Sequence, residues 1–135
     1  MKPRIIADKY LQDDKKGKVF DYKFYCFNGE PKFLYIMYHV GEHLGYCNFY
    51  DIEFNKLKLR MHRPYIEETV EKPDTYEQMV EFSRKLSQGI RFIRIDFYEI
   101  NGKLYFGEFT LTPSDGMGKF HPECWDEKIG EYLKL

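Results

Sequence analysis

At 135 residues the chain has the length of one ordinary domain, since a single core serves about 100–200 residues, and this excludes a multi-domain organisation. Lys and Arg number 21 against 22 Asp and Glu, a formal charge of -1, so no global field draws the protein to nucleic acid or to an anionic lipid surface. The 12 Tyr, 12 Phe and single Trp exclude a polar disordered segment, because they supply enough apolar surface to fill a core.

Residues 4–11 read as a first strand, and the charged stretch 12–18 as a solvated loop. A strand is expected over 19–27, a turn at Asn28-Gly29-Glu30-Pro31, and an antiparallel return over 32–40. Residues 41–45 form the next turn, 46–50 a short strand, and 51–63 an irregular or extended stretch ending at Pro64. Asp74 followed by Glu77 resembles a capping box ahead of the helical pattern Tyr76, Met79, Val80 and Leu86. A helix is therefore expected over 75–88 with Asp74 as its N-cap, and Asp74→Ala should cost about 1 kcal/mol. Residues 92–98 are a buried strand carrying Arg94 and Asp96, a turn at 100–102 leads into a strand over 103–111, and 122–135 is a closing helix. The predicted class is α+β, a mostly antiparallel sheet with two helices packed on it.

No run of about 18 apolar residues is present, and the start MKPRIIADKY lacks the apolar stretch of a signal peptide. No membrane span is expected, and the expected compartment is the cytoplasm. Cys26, Cys47 and Cys124 are odd in number and lack CxxC spacing, so they read as buried thiols. His39 and His43 would suit a zinc pair only on a helix, and this stretch reads as strand and turn. The loop 114–118 has glycines but no following Lys-Ser or Lys-Thr, so it is no P-loop. Phe24, Phe27 and Phe33 read as core, and Trp125 as the anchor of the last helix.

The informative part is the hairpin from Arg94-Ile95-Asp96 to Gly107-Glu108-Phe109-Thr110, because acids in an apolar strand need partners or a task. A two-residue turn at Asn101-Gly102 would pair Asp96 with Gly107 and send Glu108 to the opposite face. A three-residue loop with Gly102 at positive φ would pair Asp96 with Phe106 and Arg94 with Glu108, so that Arg94, Asp96, Glu108 and Thr110 share a face. The second geometry is the expected one. It would bring two carboxylates and a hydroxyl together as oxygen ligands for Mg²⁺, and the plainer outcome would be an Arg94–Glu108 ion pair.

This hairpin, extended to Leu111-Thr112-Pro113, resembles the metal-binding hairpin of the ATP-grasp superfamily. Three further segments are similar to its TupA-like branch, which belongs to bacterial surface-polysaccharide biosynthesis. They are Ile6-Ala7-Asp8-Lys9-Tyr10-Leu11, the stretch Asp21 to Gly29, and the closing Pro122 to Gly130 with its Glu123-Cys124-Trp125. The resemblance implies the C-terminal lobe of an ATP-grasp fold, with the smaller lobe absent from these residues; were the 135 residues the whole product, a partner chain or an oligomer would be expected to supply it.

It further implies ATP and Mg²⁺ as cofactors, with Asp96 and Glu108 as metal ligands and Thr110 where the family usually has Asn. Arg94 and Lys23 would be the catalytic cations that steady the phosphates. Asp8, Lys9 and Leu11 would meet adenine, and Asp21 the ribose. Arg60 and Arg63 would suit an anionic substrate, since Arg binds such groups bidentately. The implied activity is carboxylate ligation through an acyl phosphate, acting on a small molecule or polysaccharide precursor. The alternatives are a non-catalytic sugar- or partner-binding remnant and a polysaccharide-biosynthesis glycosyltransferase.

Overall fold

Six consecutive buried residues, Tyr22 to Phe27, demand cover on both faces, and they place strand β1 (Asp21–Phe27) inside the sheet. The computed structural model describes residues 5, 11–14, 17, 19–40, 43–61, 63–65 and 67–134. The expected strand over 4–11 lies almost wholly outside the described residues.

Beyond β1, the sheet contains β2 (Glu30–Val40), β3 (His43–Asp51), the two-residue β4 (Lys56–Leu57), β5 (Phe92–Ile100) and β6 (Lys103–Thr110). Their order across the sheet is β4-β3-β2-β1-β5-β6, and every neighbouring pair is antiparallel. One face is covered by helix α1 (Tyr76–Leu86), whose Tyr76, Met79 and Val80 pack with Phe24, Ile95 and Phe97. The other carries helix α2 (Cys124–Gly130), whose Ile129 joins Tyr25, Phe33, Phe49, Leu59 and Phe120, with Trp125 half-buried beside them. The α+β class with two helices on an antiparallel sheet is the observed architecture.

Several boundaries differ from the sequence reading. The β1–β2 turn is only Asn28-Gly29, both at positive φ (51° and 83°), and Pro31 sits inside β2 where the ladder shifts register. Residues 43–45 are strand, not turn, because the β2–β3 ladder runs on through Tyr38↔Tyr46 to Val40↔His43. Asp13 is not solvated: it is buried, and its Oδ2 accepts the amide of Asn101 at 2.9 Å. The closing helix is shorter than 122–135.

The helix start is capped differently from the expectation. Thr75, not Asp74, is the N-cap, and no side chain of the local sequence caps it. Instead the buried carboxylate of Glu99, on β5, accepts both the Thr75 amide and its hydroxyl at 2.8 Å each. The acid that complements the helix N-terminus is thus supplied across 24 residues by the sheet. Asp74 is exposed. We therefore expect Asp74→Ala to change stability by less than about 0.5 kcal/mol, as exposed substitutions usually do. Glu99→Ala should cost about 1–3 kcal/mol by stranding buried donors. Urea denaturation of the two variants decides between the local and the tertiary cap.

Candidate functional site

The β1–β5 ladder sets Asp21 opposite Tyr98, Lys23 opposite Asp96, and Tyr25 opposite Arg94. With a side-chain period of two, Asp21, Lys23, Arg94 and Asp96 all point to the face that carries α2. Their charged groups meet there. Lys23 Nζ lies 2.5 Å from Asp21 Oδ2 and 2.5 Å from Asp96 Oδ2. Arg94 grips Asp96 with Nε on Oδ1 at 2.7 Å and Nη2 on Oδ2 at 2.8 Å, and the same Nη2 donates to Glu108 Oε1 at 2.8 Å. Thr110 Oγ1 donates to that Glu108 oxygen at 3.3 Å. Asp96 is fully buried, while the Glu108 side chain is 62% exposed, so the network runs from the sheet interior to the surface.

How Glu108 reaches this face is the main correction to the sequence reading. The turn is the two-residue one: Ile100 pairs with Lys103, and Asn101 and Gly102 have φ of 52° and 76°. Gly102 has the expected positive φ, but Phe106 lies across from Phe97 and not from Asp96. Parity is restored further along. Phe97 pairs with Phe106 while Ile95 pairs with Phe109, so Gly107 and Glu108 together oppose Asp96 in a β-bulge. Arg94 then faces Thr110, which returns Glu108 and Thr110 to the face of Arg94 and Asp96.

Gly107 is required at the bulge. A Cβ there would stand 2.9 Å from the Tyr98 ring and 3.1 Å from the Asp96 carbonyl oxygen. The turn itself is held from outside the hairpin, by Asp13 on the Asn101 amide and by two bonds of 3.1 Å between Asp14 and the Asn101 side chain.

Burial and charge compete within the network. Burial raises the Asp21 carboxyl from 3.8 to about 6, against the opposing pull of Lys23. Burial also opposes charge on Lys23, but Asp21 and Asp96 outweigh it and hold its ammonium above the ordinary value. The two directions are compatible: Lys23 has two acids to itself, and Asp21 must share one cation with the fully buried Asp96. Arg94 is desolvated too, yet Asp96 drives its pKa further upward.

The cation that Asp96 and Glu108 share in the structure is the Arg94 guanidinium, so the plainer outcome, the Arg94–Glu108 ion pair, is the one observed. Among the described residues no group of three or more His, Cys, Asp or Glu is arranged to hold a metal ion. A divalent ion between Asp96 and Glu108 would therefore take the position of Arg94 Nη2. Two features suit a further positive or hydrogen-donating group. Asp21, Asp96 and Glu108 outnumber Lys23 and Arg94 by one charge, and the buried Asp21 Oδ1 has no hydrogen-bond partner.

The other sequence candidates divide. Asp8 and Lys9 lie outside the described residues, and Leu11 is half-buried ahead of β1. Arg60 and Arg63 line different hollows. Arg63 borders one of about 300 Å³ with Tyr35, Cys47 and Ser114, so the 114–118 loop contributes to it. Arg60 borders a larger groove with Lys58 and His121. Cys26 and Cys47 are buried, and burial pushes each thiol up to about 12, but Cys124 is exposed, contrary to the expectation. Its helix presents Ile129 to the core and leaves position 124 outward. The His39 and His43 side chains lie outside the described residues. The sequence reading missed the roles of Glu99, Asp13 and Gly107. Only Glu99 left a signal there, as a third charge within an apolar strand.

The described residues contain no helix long and apolar enough to cross a membrane. No curated protein and no solved structure matches this chain. The sequence model of the family described as TupA-like ATPgrasp does match, over residues 1–134. The hairpin whose charged face is described above lies inside that match, and the protein belongs to the TupA-like ATP-grasp family.

Proposed function

We propose that the protein is an ATP- and Mg²⁺-dependent carboxylate ligase working through an acyl phosphate, in bacterial surface-polysaccharide biosynthesis. The observation that carries the reading is the five-membered charge network on one sheet face, four of its members largely desolvated, which packing alone does not call for. Asp96 and Glu108, with Thr110 beside them, would hold the ion. Bound there, Mg²⁺ would neutralise phosphate charge, the main need of phosphoryl transfer.

The chain's own residues then have distinct tasks. Arg94, released from between the two acids, is a guanidinium suited to a phosphate, and Lys23 is a second fixed cation on the same face. Asp21 Oδ1, with no partner at present, accepts a ribose hydroxyl. The fully buried Asp96 holds both cations in place at the base of the site.

One observation favours a second reading, a non-catalytic remnant: Arg94 already satisfies both acids without any ligand. Calorimetric titration with ATP separates the two. Heat that appears with Mg²⁺ present and vanishes without it, or in Asp96→Asn, is the expected result. Silence at about 1 mM nucleotide, or heat indifferent to Mg²⁺, sinks the ligase reading.

A further inference from the structure

The network described above leaves a separate hollow unexplained, a groove of about 840 Å³ between the segment after β4 and the approach to α2. Its walls are apolar, from Leu59, Pro64, Tyr65 and Pro122, and Lys58, Arg60 and His121 stand around them. Leu59 roots the groove in the apolar cluster under α2, and Pro64 ties it to the edge of β3, its carbonyl accepting the Cys47 amide at 3.1 Å.

Three observations make this a built site. First, Arg60 and His121 form an isolated antiparallel bridge and exchange both backbone bonds, Arg60 N–H to His121 O at 3.0 Å and the reverse at 2.9 Å. Residues paired in this way present their side chains next to each other on one side of the ribbon, so the guanidinium and the imidazole are set in register by main chain. Second, the Tyr65 wall is fixed from behind: Lys56 Nζ sits 4.4 Å from its ring centroid and donates to the carbonyls of Glu67 and Glu68 at 2.9 and 3.0 Å. Third, among the described residues Lys58, Arg60 and His121 make no ion pair, whereas Lys23 and Arg94 of the charge network are both paired. The single acid lining the groove is Glu67.

A ligand complementary to this surface carries its charge at one end and a flat or apolar body at the other. Arg60 supplies a fork for two oxygens, His121 an adjacent donor and Lys58 a mobile point charge, a donor set that fits the three oxygens of a phosphate group. The tyrosine and the two prolines fit the organic body.

We infer that the Lys58–Arg60–His121 groove binds an organic phosphate monoester, separately from the network of Asp21, Lys23, Arg94, Asp96 and Glu108. The inference rests on the ligase reading only in that such a ligand would be its substrate; the binding itself does not depend on it.

The test uses phenyl phosphate as the probe, titrated calorimetrically into the full chain, with inorganic phosphate and benzoate as separate arms. Phenyl phosphate should bind best. Inorganic phosphate should compete more weakly, because it leaves the apolar wall unused, and benzoate should be weaker still.

Arg60→Gln should weaken phenyl phosphate binding about tenfold or more, the usual effect of losing charged hydrogen bonds. Arg60→Lys, which keeps the charge and loses the fork, should fall between. Arg60 is an exposed side chain on a main-chain bridge that neither variant removes, so unchanged circular dichroism serves as the folding control. Equal affinity in wild type and Arg60→Gln, or benzoate equal to phenyl phosphate, overturns the inference. Loss of Mg²⁺-dependent ATP heat in Asp96→Asn with phenyl phosphate binding retained shows that the two sites stand or fall separately.

Discussion

Asp96→Ala is expected to lower the unfolding free energy by about 3–5 kcal/mol, the range found when one member of a buried ion network is removed. Asp96 is fully buried and accepts from Arg94 Nε, Arg94 Nη2 and Lys23 Nζ. Its removal leaves two nearly buried cations, with only Asp21 and the exposed end of Glu108 to balance them. Charge causes the loss more than volume does, so Asp96→Asn should recover only part of it. The comparison is made by urea denaturation with the m-value checked for constancy. A cost below about 1 kcal/mol for Asp96→Ala would mean that the network is solvated and that its energetics are those of a surface pair.

Asp21→Asn should act in the opposite direction and with a definite pH dependence. The folded state raises the Asp21 pKa from 3.8 to about 6, so the folded protein holds this proton more tightly than the unfolded chain does. The stabilisation that comes with the proton is complete below the unfolded value and is lost as pH rises through about 6. At pH 7 the wild type therefore carries an ionised, desolvated carboxylate that costs on the order of 3 kcal/mol. Asp21→Asn should be the more stable protein there by about that amount, and the two should converge near pH 4. Lys23 keeps Asp96 as its partner in the variant. Denaturation curves at pH 4, 5, 6 and 7 give the result directly. A variant less stable than wild type at pH 7 would show that the Lys23 attraction outweighs desolvation. A stabilising loss of a buried acid is also what a site held for function predicts, since selection for stability alone would not retain it.

Much of the architecture was legible in the sequence. Runs of aromatic and β-branched residues broken by Asn-Gly and Gly specified an antiparallel sheet, and the spacing of Tyr76, Met79 and Val80 specified α1. These signals are local, because side-chain periodicity follows backbone geometry over a few residues. Arg94 and Asp96 were also legible as residues in need of partners, since charge inside an apolar strand is costly wherever the strand lies. Lys23 and Asp21 were reached only through family resemblance, and the β1–β5 ladder brought both to the same network.

The tertiary structure decided the matters that depended on residues distant in the chain. The parity of the β5–β6 hairpin could be reasoned correctly as a requirement, that Glu108 share the face of Asp96, and still be placed in the wrong part of the hairpin. One extra residue restores parity equally well in the turn or in the strand. Asp13, 88 residues away, holds the tight turn by accepting the Asn101 amide, and Tyr98 leaves at position 107 room for glycine alone. The cap of α1 follows the same rule: Asp74 and Glu77 have the local pattern, but Glu99 is nearer to the Thr75 donors in three dimensions and is buried with them. Arg60 and Arg63 are three residues apart in sequence and line different hollows, because the Arg60–His121 bridge fixes the direction of one and not the other. A sequence states which residues must find partners. Which partner each one finds is fixed by the folded chain, where contact between residues far apart in sequence costs no further loop closure and the nearest complementary group prevails.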